Sequence, residues 1–286
     1  MVTAEFHYLC RLLRDRSGLV LTPDKQYLVE NRLLPVARRS GLDSVSDLVR
    51  SLTGPHGEQR IVDVVEAMTT SETMFFRDRA PFAYFREVML PALMNACASR
   101  RRLRIWCAAA STGQEAYSIA MCMKERGGDL AGWQIEILAT DLSGAVVEYA
   151  EAGTYNQFEV QRGLPVRSLL QHFSKVDDGW QISSDIRSMI RFEQLNLLDD
   201  FSDMEMFDVI FCRNVLCYFD PATRVDVLKR LSRVTKRHGY LVLGAGETAA
   251  GLAGSFMPLR HCDGLFAPGP AIHLVRPATP RLAVVG

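Results

Sequence analysis

The chain contains 286 residues, of which 48% are hydrophobic and 23% are charged, and its 33 lysines and arginines balance its 33 acidic residues. This length allows roughly two domains of ordinary size, and the balanced charge gives no support to a nucleic-acid-binding protein. We find no apolar stretch long enough to span a bilayer, and the charged amino end lacks the apolar core of a signal peptide, so we expect a cytoplasmic protein without direct membrane insertion.

Residues 1–70 predict helices only. Apolar residues recur there at helical spacing, with Gly18 ending the first stripe and Thr22 and Pro23 marking the start of the second helix. The stripes occupy about 6–18, 23–41, 46–52 and 58–68. We therefore predict a small helical domain with short connections.

The charged residues between positions 11 and 39 are mostly basic. They are Arg11, Arg14, Arg16, Lys25, Arg32, Arg38 and Arg39, against Asp15, Asp24 and Glu30. A solvated helix face is the ordinary explanation for such a run. A docking surface for an acidic partner is the alternative, because local excess charge mainly sets the rate and orientation of encounter.

Residues 69–82 join this helical region to the rest of the chain. Phe75 and Phe76 are suited to filling a joint between domains, whereas Arg77 follows them at a boundary where ligand sites concentrate. A helix is predicted from Pro81 to Ala98, and it leads into the first strand.

Residues 103–121 predict a strand, a turn of small residues and a helix. Leu103 to Cys107 forms the buried strand, Thr112 is a candidate cap, and the helix is expected to begin at Gly113. This pattern is typical of the first βα unit of a nucleotide-binding α/β domain, where ligands lie outside the carboxyl ends of the strands.

The second unit indicates the class of ligand. Its strand, from Trp133 to Ala139, leads into Asp141, where this architecture binds a ribose diol, and Ser143 can cap the next helix. The first turn has a single glycine followed by Gln114 and Glu115, and a carboxylate there would repel a diphosphate but attract an ammonium group. We therefore predict an amino acid–nucleoside conjugate rather than a dinucleotide.

The rest of the chain predicts an insertion and then the completion of the sheet. Between 155 and 189 a short helix precedes a hairpin that turns at Asp178 and Gly179, which we interpret as a small inserted subdomain. The following strands are expected at 190–195, 207–212, 240–244, about 265–267 and 271–275, with a helix from 221 to about 237. Polar residues at the strand ends should line one crevice: Asp141, Asn196, Arg213, Asn214 and Tyr218.

Seven cysteines and six histidines are scattered without a CxxC pair or ligand spacing, so we expect reduced thiols and no metal site.

Five segments together resemble the CheR chemoreceptor methyltransferases, which esterify glutamate side chains of bacterial chemotaxis receptors. The segments are TSETMFFRD, RIWCAAASTGQEAYSIAM, ATDLS, FEQLNLLD and FDVIFCRNVLCYFD. The resemblance covers nearly the whole chain. It implies an α/β fold, a Rossmann-like class I methyltransferase sheet with helices on both faces, at 99–286. A small all-α domain at 1–70 and a linking segment at 71–98 would precede it, and the β-subdomain would be inserted at about 155–189.

The resemblance also implies roles for individual residues toward S-adenosylmethionine and its product S-adenosylhomocysteine. Asp141 would hold the ribose, Glu115 the methionyl ammonium, Arg213 the methionyl carboxylate, and Asn196 with Leu197 the adenine. The cofactor-binding set is Thr73, Arg77, Ala109, Glu115, Asp141, Asn196, Leu197, Arg213 and Asn214. Arg77 and Tyr218 are the candidate catalytic residues, which would orient the incoming glutamate. The family commonly has Glu-Glu-Pro-Tyr where this chain has Gln114 to Tyr117, which puts a role for position 114 in doubt.

The chemistry agrees with these residue types. A glutamate acceptor, with a pKa of about 4.3, is already ionised at neutral pH and needs no general base. The implied partner is the cytoplasmic domain of a chemoreceptor, and we expect a monomer. The best-known family members bind a receptor's carboxyl-terminal pentapeptide through a longer hairpin, so the short turn here favours an enzyme without this tether.

Two alternatives stay open. The first is an enzyme of the same fold that acts on a small-molecule acid or a nucleic acid, although the sequence has no basic channel lined with aromatic residues. The second is a module that binds the cofactor or a receptor without catalysis.

Overall fold

This computed structural model describes residues 3–248 and 255–269. Four helices build the amino-terminal region: α1 (Thr3–Ser17), α2 (Gln26–Arg39), α3 (Val45–Ser51) and α4 (Gly57–Met68). Leu9, Leu13, Leu33 and Leu48 have no exposed surface, so the apolar stripes of these helices meet in one core. Thr22 and Pro23 do not begin α2 as predicted: Pro23–Lys25 forms a 3₁₀ turn before the helix, and the side chain of Thr22 makes no capping bond.

A long helical segment follows and changes geometry midway. It consists of α5 (Ala80–Tyr84), a π-helical stretch (Phe85–Met89) and α6 (Leu90–Ala96). Phe82, Phe85 and Leu93 are buried against the sheet. The segment therefore belongs to the core of the second domain, as its aromatic residues suggest.

Ten strands and six further α-helices, with short 3₁₀ helices at Gly127–Leu130 and Leu216–Tyr218, complete the described chain. The strands are β1 (Arg102–Ala108), β2 (Gln134–Asp141), β3 (Thr154–Asn156), β4 (Phe173–Val176), β5 (Gly179–Ile182), β6 (Ile190–Gln194), β7 (Phe207–Cys212), β8 (Thr235–Leu243), β9 (Phe256–Pro258) and β10 (Leu265–Pro268). The helices are α7 (Gln114–Glu125), α8 (Gly144–Ala152), α9 (Gln157–Gln161), α10 (Val166–His172), α11 (Ser184–Arg187) and α12 (Pro221–Arg233).

Seven of the strands form the main sheet in the order β6-β2-β1-β7-β8-β10-β9. The five strands from β6 to β8 run parallel, and β10 and β9 add an antiparallel edge. Successive residues of β1 are buried on opposite faces: Ile105 and Cys107 pack with α5–α7, while Trp106 and Ala108 pack with α12. A parallel sheet covered by helices on both faces confirms the predicted α/β architecture.

The inserted segment forms a separate antiparallel sheet in the order β3-β5-β4. Val176 pairs with Gly179, so the hairpin turn consists of Asp177 and Asp178, and Gly179 lies in the strand rather than in the turn. A side chain at position 179 would meet the backbone oxygen of Tyr155 at 2.8 Å, which explains why this strand position carries glycine.

Several predicted boundaries were wrong. Thr112 does not cap α7, since its hydroxyl contacts the Gln114 side chain. Gly113 (φ 92°) occupies the N-cap position, and the helix begins at Gln114 rather than at Gly113. The last helix ends at Arg233 rather than near 237, because Thr235 already pairs with Phe207 in the sheet. Strand β9 was not predicted, and the strand expected at 271–275 lies outside the described residues. Ser143 does cap α8, accepting a hydrogen bond from Val146.

Over the two described ranges, no helix combines the length and the apolar character needed to cross a bilayer.

Candidate active site

A cleft opens at the carboxyl ends of β1, β2, β6 and β7, with about 950 Å³ of empty space that is partly open to solvent. The residues assigned to the site from sequence all line it: Thr73, Arg77, Ala109, Glu115, Asp141, Asn196, Leu197, Arg213, Asn214 and Tyr218. Five separate segments of the chain therefore converge on one crevice. Four of them lie at the ends of strands, as the strand-end rule for such sheets predicts, and the fifth carries Thr73 and Arg77.

The turn between β1 and α7 forms the floor of the cleft. Ala109 (φ 65°) and Ser111 (φ 51°) both adopt left-handed backbone conformations, which are costly for residues other than glycine. The N–H of Ala110 donates to the carbonyl of Thr140 at 2.8 Å and ties the turn to β2. Strained backbone held in this way, with small side chains, lets a ligand approach the main chain closely.

Asp141 lies at the tip of β2 beside this turn. Its carboxylate accepts the N–H of Ser111 at 2.8 Å and, less closely, the N–H of Ser143 at 3.3 Å. Burial raises the pKa of Asp141, while these backbone donors act in the opposite direction. The carboxylate is thus fixed at the position where a diol ligand is expected.

The inner end of the cleft contains a buried cluster of charges. Arg213 donates to Glu115 at 2.6 Å and to Asp78 at 2.7 Å, and it also donates to the backbone carbonyl of Arg77 at 3.0 Å. The Arg213 side chain is only 2% exposed, and its guanidinium lies 5.8 Å from the centre of the Phe82 ring. Among the described residues no atom accepts a hydrogen bond from its buried Nε.

Glu115 is the second member of this cluster. Burial raises the pKa of Glu115, and the nearby charge and hydrogen bond of Arg213 oppose that shift. A carboxylate next to a guanidinium at the same end of a cleft matches the ammonium and carboxylate of an amino acid. The arrangement therefore fits the amino-acid part of the predicted ligand.

The loop that carries Thr73 and Arg77 closes one side of the cleft under backbone strain. Phe76 (φ 50°), Asp78 (φ 67°) and Arg79 (φ 48°) all have positive φ. The Phe76 N–H donates to the buried hydroxyl of Ser118 at 3.0 Å, and the Arg213 bonds described above hold the other side of the loop. Two buried side chains, Ser118 and Arg213, therefore hold the strained loop in place.

The Arg77 side chain lines the cleft, and its positive charge acts to lower the pKa of Glu115 in the charge cluster. One of its terminal nitrogens donates to the carbonyl of Glu72 at 2.8 Å. Glu72 in turn pairs with Arg162 of the inserted subdomain at 3.0 Å. The inserted subdomain thereby contacts the same loop that positions Arg77.

Asn196 makes structural hydrogen bonds that could not be predicted from the sequence. Its side-chain nitrogen donates to the carbonyl of Arg16 at 2.7 Å, and its side-chain oxygen accepts the N–H of Leu198 at 3.0 Å. Asn196 therefore joins the end of β6 to the end of α1. Any contact with a nucleobase has to use its second N–H, its remaining lone pair or the neighbouring backbone.

Asn214 and Tyr218 lie in the loop after β7. The carboxylate of Glu247 accepts the N–H groups of Asn214 (2.8 Å), Gly244 (2.8 Å) and Cys217 (3.1 Å), so one side chain holds this loop against the end of β8. Glu247 could not be predicted from the sequence, because nothing in its spacing connects it to residues some thirty positions earlier.

The amino-terminal region also contributes to the wall, which the sequence analysis did not predict. Ser17, Leu19, Thr69 and Thr70 line the cleft, and the Val20 N–H donates to the Tyr218 carbonyl at 3.0 Å. Gly18 was interpreted only as the end of a helix. A Cβ at Gly18 would lie 2.6 Å from a ring atom of Phe219, so this glycine also permits the close contact between the two domains.

Comparison with known proteins agrees with this geometry. Residues 71–261 match the CheR methyltransferase SAM-binding domain, and residues 4–69 match the CheR methyltransferase all-alpha domain. The chain is 39% identical over 268 residues to chemotaxis protein methyltransferase 1 of Pseudomonas aeruginosa, covering 92% of this chain and 96% of that protein. It is 37% identical over 264 residues to the chemotaxis protein methyltransferase of Vibrio parahaemolyticus, covering 91% and 95%. The chain therefore belongs to the CheR methyltransferase family and is an S-adenosylmethionine-dependent methyltransferase.

Proposed function

We propose that this chain transfers a methyl group from S-adenosylmethionine to glutamate side chains in the cytoplasmic domain of a chemoreceptor. The observation that carries the proposal is the composition of the cleft. Among the described residues that line it there is no histidine, lysine or cysteine, although carboxylates, guanidinium groups and a phenol are present. An acceptor that is already ionised, such as a carboxylate, suits a lining without histidine, the most common general base.

The residues present fit the cofactor. Glu115 and Arg213 offer opposite charges to its amino-acid end, and the orphaned Nε of Arg213 leaves a donor for one more acceptor. Asp141 offers a carboxylate to the ribose hydroxyls, and Asn196 with the backbone of Leu197 borders the space for the adenine. When bound, S-adenosylmethionine supplies a methyl group that a carboxylate oxygen can accept without first losing a proton.

The catalytic task of the protein is then to bring an acceptor carboxylate to the cofactor in the right orientation. Arg77 and Tyr218 line the cleft on different segments, and we assign them to hold the incoming glutamate. Arg77 is partly exposed and already donates to Glu72, so it can attract a carboxylate without removing all of its water. Orientation and partial desolvation of this kind supply rate without trapping the acceptor as a tight ion pair.

The relatives named above are chemotaxis protein methyltransferases, which supports a chemoreceptor as the acceptor. We propose further that docking does not need a carboxyl-terminal receptor peptide. The hairpin between β4 and β5 turns within two residues, Asp177 and Asp178, and has no additional segment that could hold such a tether. Titration of the full chain with a fluorescent peptide from a receptor's carboxyl end should give no saturable binding, and measurable affinity would overturn this part of the proposal.

The central test uses radiolabelled S-adenosylmethionine, the full chain and purified receptor cytoplasmic fragments, followed by mild alkali. We expect protein-bound label that alkali releases as volatile methanol, because a carboxyl methyl ester hydrolyses under these conditions. Alkali-stable label would mean methylation at nitrogen or carbon and would refute a glutamate acceptor. Cofactor binding without any transfer to a panel of receptor fragments would favour a binding module or another acceptor.

A further inference from the structure

A second cluster of chemically active side chains lies near the amino-terminal ends of β7 and β8, whereas the cleft lies at the carboxyl ends of the strands. Cys97 follows α6, Asp208 is the second residue of β7, and His238 lies in the first half of β8. Each can offer one metal-ligand atom, and within the described residues these three atoms all lie within 4.8 Å of one another. The methyl-transfer site uses none of them.

The three donor atoms form a compact triangle. The Cys97 Sγ lies 3.6 Å from the Asp208 Oδ1 and 3.4 Å from the His238 Nε2, and the last two atoms are 2.9 Å apart. A point equidistant from all three lies about 1.9 Å from each, just inside the usual zinc distances of about 2.0–2.3 Å to nitrogen, oxygen and sulfur. A zinc ion slightly above the plane of the triangle would therefore reach all three with little movement.

The carboxylate is already held in a ligating orientation. The other oxygen of Asp208, Oδ2, accepts the Arg104 N–H at 2.8 Å and the Lys236 ammonium at 2.8 Å. These bonds leave Oδ1 to face Cys97 and His238. Outer contacts that fix a ligating carboxylate in this way are typical of metal centres.

Two of the positive charges around the cluster are matched by other groups, and Arg100 adds a further positive charge near Cys97. The Arg104 guanidinium is bound to Glu136 at 2.9 Å and lies 3.5 Å from Glu205, so those acids neutralise it. Lys236 balances Asp208 itself. A zinc ion that replaces the thiol proton would add one net positive charge. The Lys236 and His238 side chains are 19% and 29% exposed, so water can partly screen this charge.

We propose that Cys97, Asp208 and His238 form a zinc site with three protein ligands and water in the fourth position, which fastens the end of α6 to β7 and β8. Thiolate, imidazole and carboxylate are the ligand types that zinc takes in proteins, and the mixed set favours it over magnesium or calcium. Binding forms bonds from the metal to sulfur, nitrogen and oxygen, and the thiol proton leaves to solvent. The proposal does not rest on the identity of the methyl acceptor.

The test uses the untagged full chain, stripped with a chelator and then titrated with Zn²⁺ alone or Co²⁺ alone. We expect one Zn²⁺ per chain by elemental analysis after gel filtration, a higher melting temperature, and a thiolate-to-metal charge-transfer band with Co²⁺. Cys97→Ala should abolish the band and weaken Zn²⁺ binding at least tenfold. Cys262→Ala, which removes a thiol elsewhere, should change neither.

His238→Gln provides a second variant, because this partly exposed side chain can be replaced even if Cys97→Ala fails to fold. It should also weaken Zn²⁺ binding at least tenfold. Absence of stoichiometric Zn²⁺ binding by the wild type would overturn the proposal. Binding that persists in both the Cys97→Ala and His238→Gln proteins would overturn it equally, since the metal would then lie elsewhere.

Discussion

Arg213 holds the inner end of the cleft together. Its buried guanidinium binds the carboxylates of Glu115 and Asp78 and the backbone of the loop that carries Arg77. A buried charge that loses its partner is strongly destabilising, so each carboxylate keeps the arginine both charged and fixed. In the proposed complex the methionyl carboxylate joins this set and uses a guanidinium that is already oriented.

Arg77 gives the first residue-scale prediction. Arg77→Ala should lower kcat by roughly 100-fold, because it removes a cationic group that orients the acceptor. Affinity for S-adenosylhomocysteine, measured by calorimetry, should stay within a few-fold. Arg79→Ala is the matched control: Arg79 lies two residues later in the same strained loop but does not line the cleft, and this variant should retain turnover. Normal turnover of Arg77→Ala would remove Arg77 from the mechanism.

The second residue-scale prediction concerns pH. Burial raises the pKa of both Glu115 and Asp141 above their ordinary values of 4.5 and 3.8. As pH is lowered, affinity for S-adenosylhomocysteine should therefore begin to fall at a pH above the ordinary pKa range of carboxyl groups. The reason is that protonation of Glu115 and Asp141 removes the charges that bind the ammonium group and the ribose. Calorimetric titrations from neutral to mildly acidic pH measure this.

The sign of the stability change separates this effect from acid unfolding. Since both pKa values are raised in the folded protein, the contribution of these two groups to stability is fully present at low pH and is lost as pH rises. The melting temperature should therefore not fall in step with the affinity. Parallel loss of affinity and melting temperature would contradict the assignment.

At the scale of elements, the strained loop from 71 to 79 depends on Ser118 of α7. The Ser118 hydroxyl accepts the Phe76 N–H and donates to the Gln114 carbonyl at 2.6 Å. Ser118→Ala leaves a buried amide without its acceptor, which costs about 1–3 kcal/mol. We expect a lower melting temperature together with reduced turnover, because the loop also carries Arg77.

Ser232→Ala is the control for this prediction. The Ser232 hydroxyl makes a similar bond to a helix carbonyl, that of Lys229 at 2.7 Å, but on the surface of α12. It should cost much less and leave turnover unchanged. If the two variants behave alike, Ser118 does not anchor the loop.

The basic run on α1 and α2 divides into two classes. Arg32 donates to the carbonyl of Met68 at 2.8 Å and Arg16 pairs with Glu58 at 2.7 Å, so both stabilise the helical domain. Arg38 and Arg39 are exposed in the last turn of α2 and are free to meet an acidic partner. The end of α2 is therefore a suitable place to test the docking alternative.

Reversing both charges, Arg38→Glu with Arg39→Glu, tests that surface. KM for a receptor fragment should rise about tenfold at low salt with little change in kcat, and the difference should shrink at high salt. The same double reversal at Arg233 and Arg237, both exposed on the second domain, is the control. Equal effects from the two pairs would show general charge repulsion rather than docking.

At the scale of the whole molecule, the helical domain is part of the site and not merely an appendage. Asn196 binds the Arg16 carbonyl, Tyr218 binds Val20, and Gly18 lies against Phe219. These contacts join the wall of the cleft to the end of α1. Cofactor affinity should therefore respond to changes at the junction.

Gly18→Ala and Gly41→Ala test whether the junction affects cofactor affinity, because the two glycines have nearly the same backbone conformation. Both glycines have positive φ, at 74° and 72°, so alanine costs each about 1–2 kcal/mol of backbone strain. Only position 18 adds a clash, with the Phe219 ring, whereas nothing lies within 4 Å of a Cβ at position 41. We expect Gly18→Ala alone to lower S-adenosylhomocysteine affinity by tenfold or more in calorimetry. Equal affinities would mean that the junction does not shape the cleft.

The sequence by itself determined the α/β class, the helical first domain and the strand-end residues of the crevice, and the family resemblance added the others. It could do so because strand periodicity is local, and because the carboxyl ends of parallel strands converge at one edge whatever the details of packing. The five motifs then restricted the family. Element ends were less predictable: α12 stops at Arg233 because Thr235 pairs with a strand nearly thirty residues away.

Only the tertiary structure decided which side chains hold the segments of the site in place and which meet near the amino-terminal ends of β7 and β8. Ser118, Glu247 and Asp78 act through hydrogen bonds to backbone or charge from segments distant in sequence. Cys97 precedes Asp208 and His238 by more than a hundred residues in sequence, yet the sheet brings the three into contact. Such positions carry no local signal, since their roles arise from distances that exist only after the strands have paired.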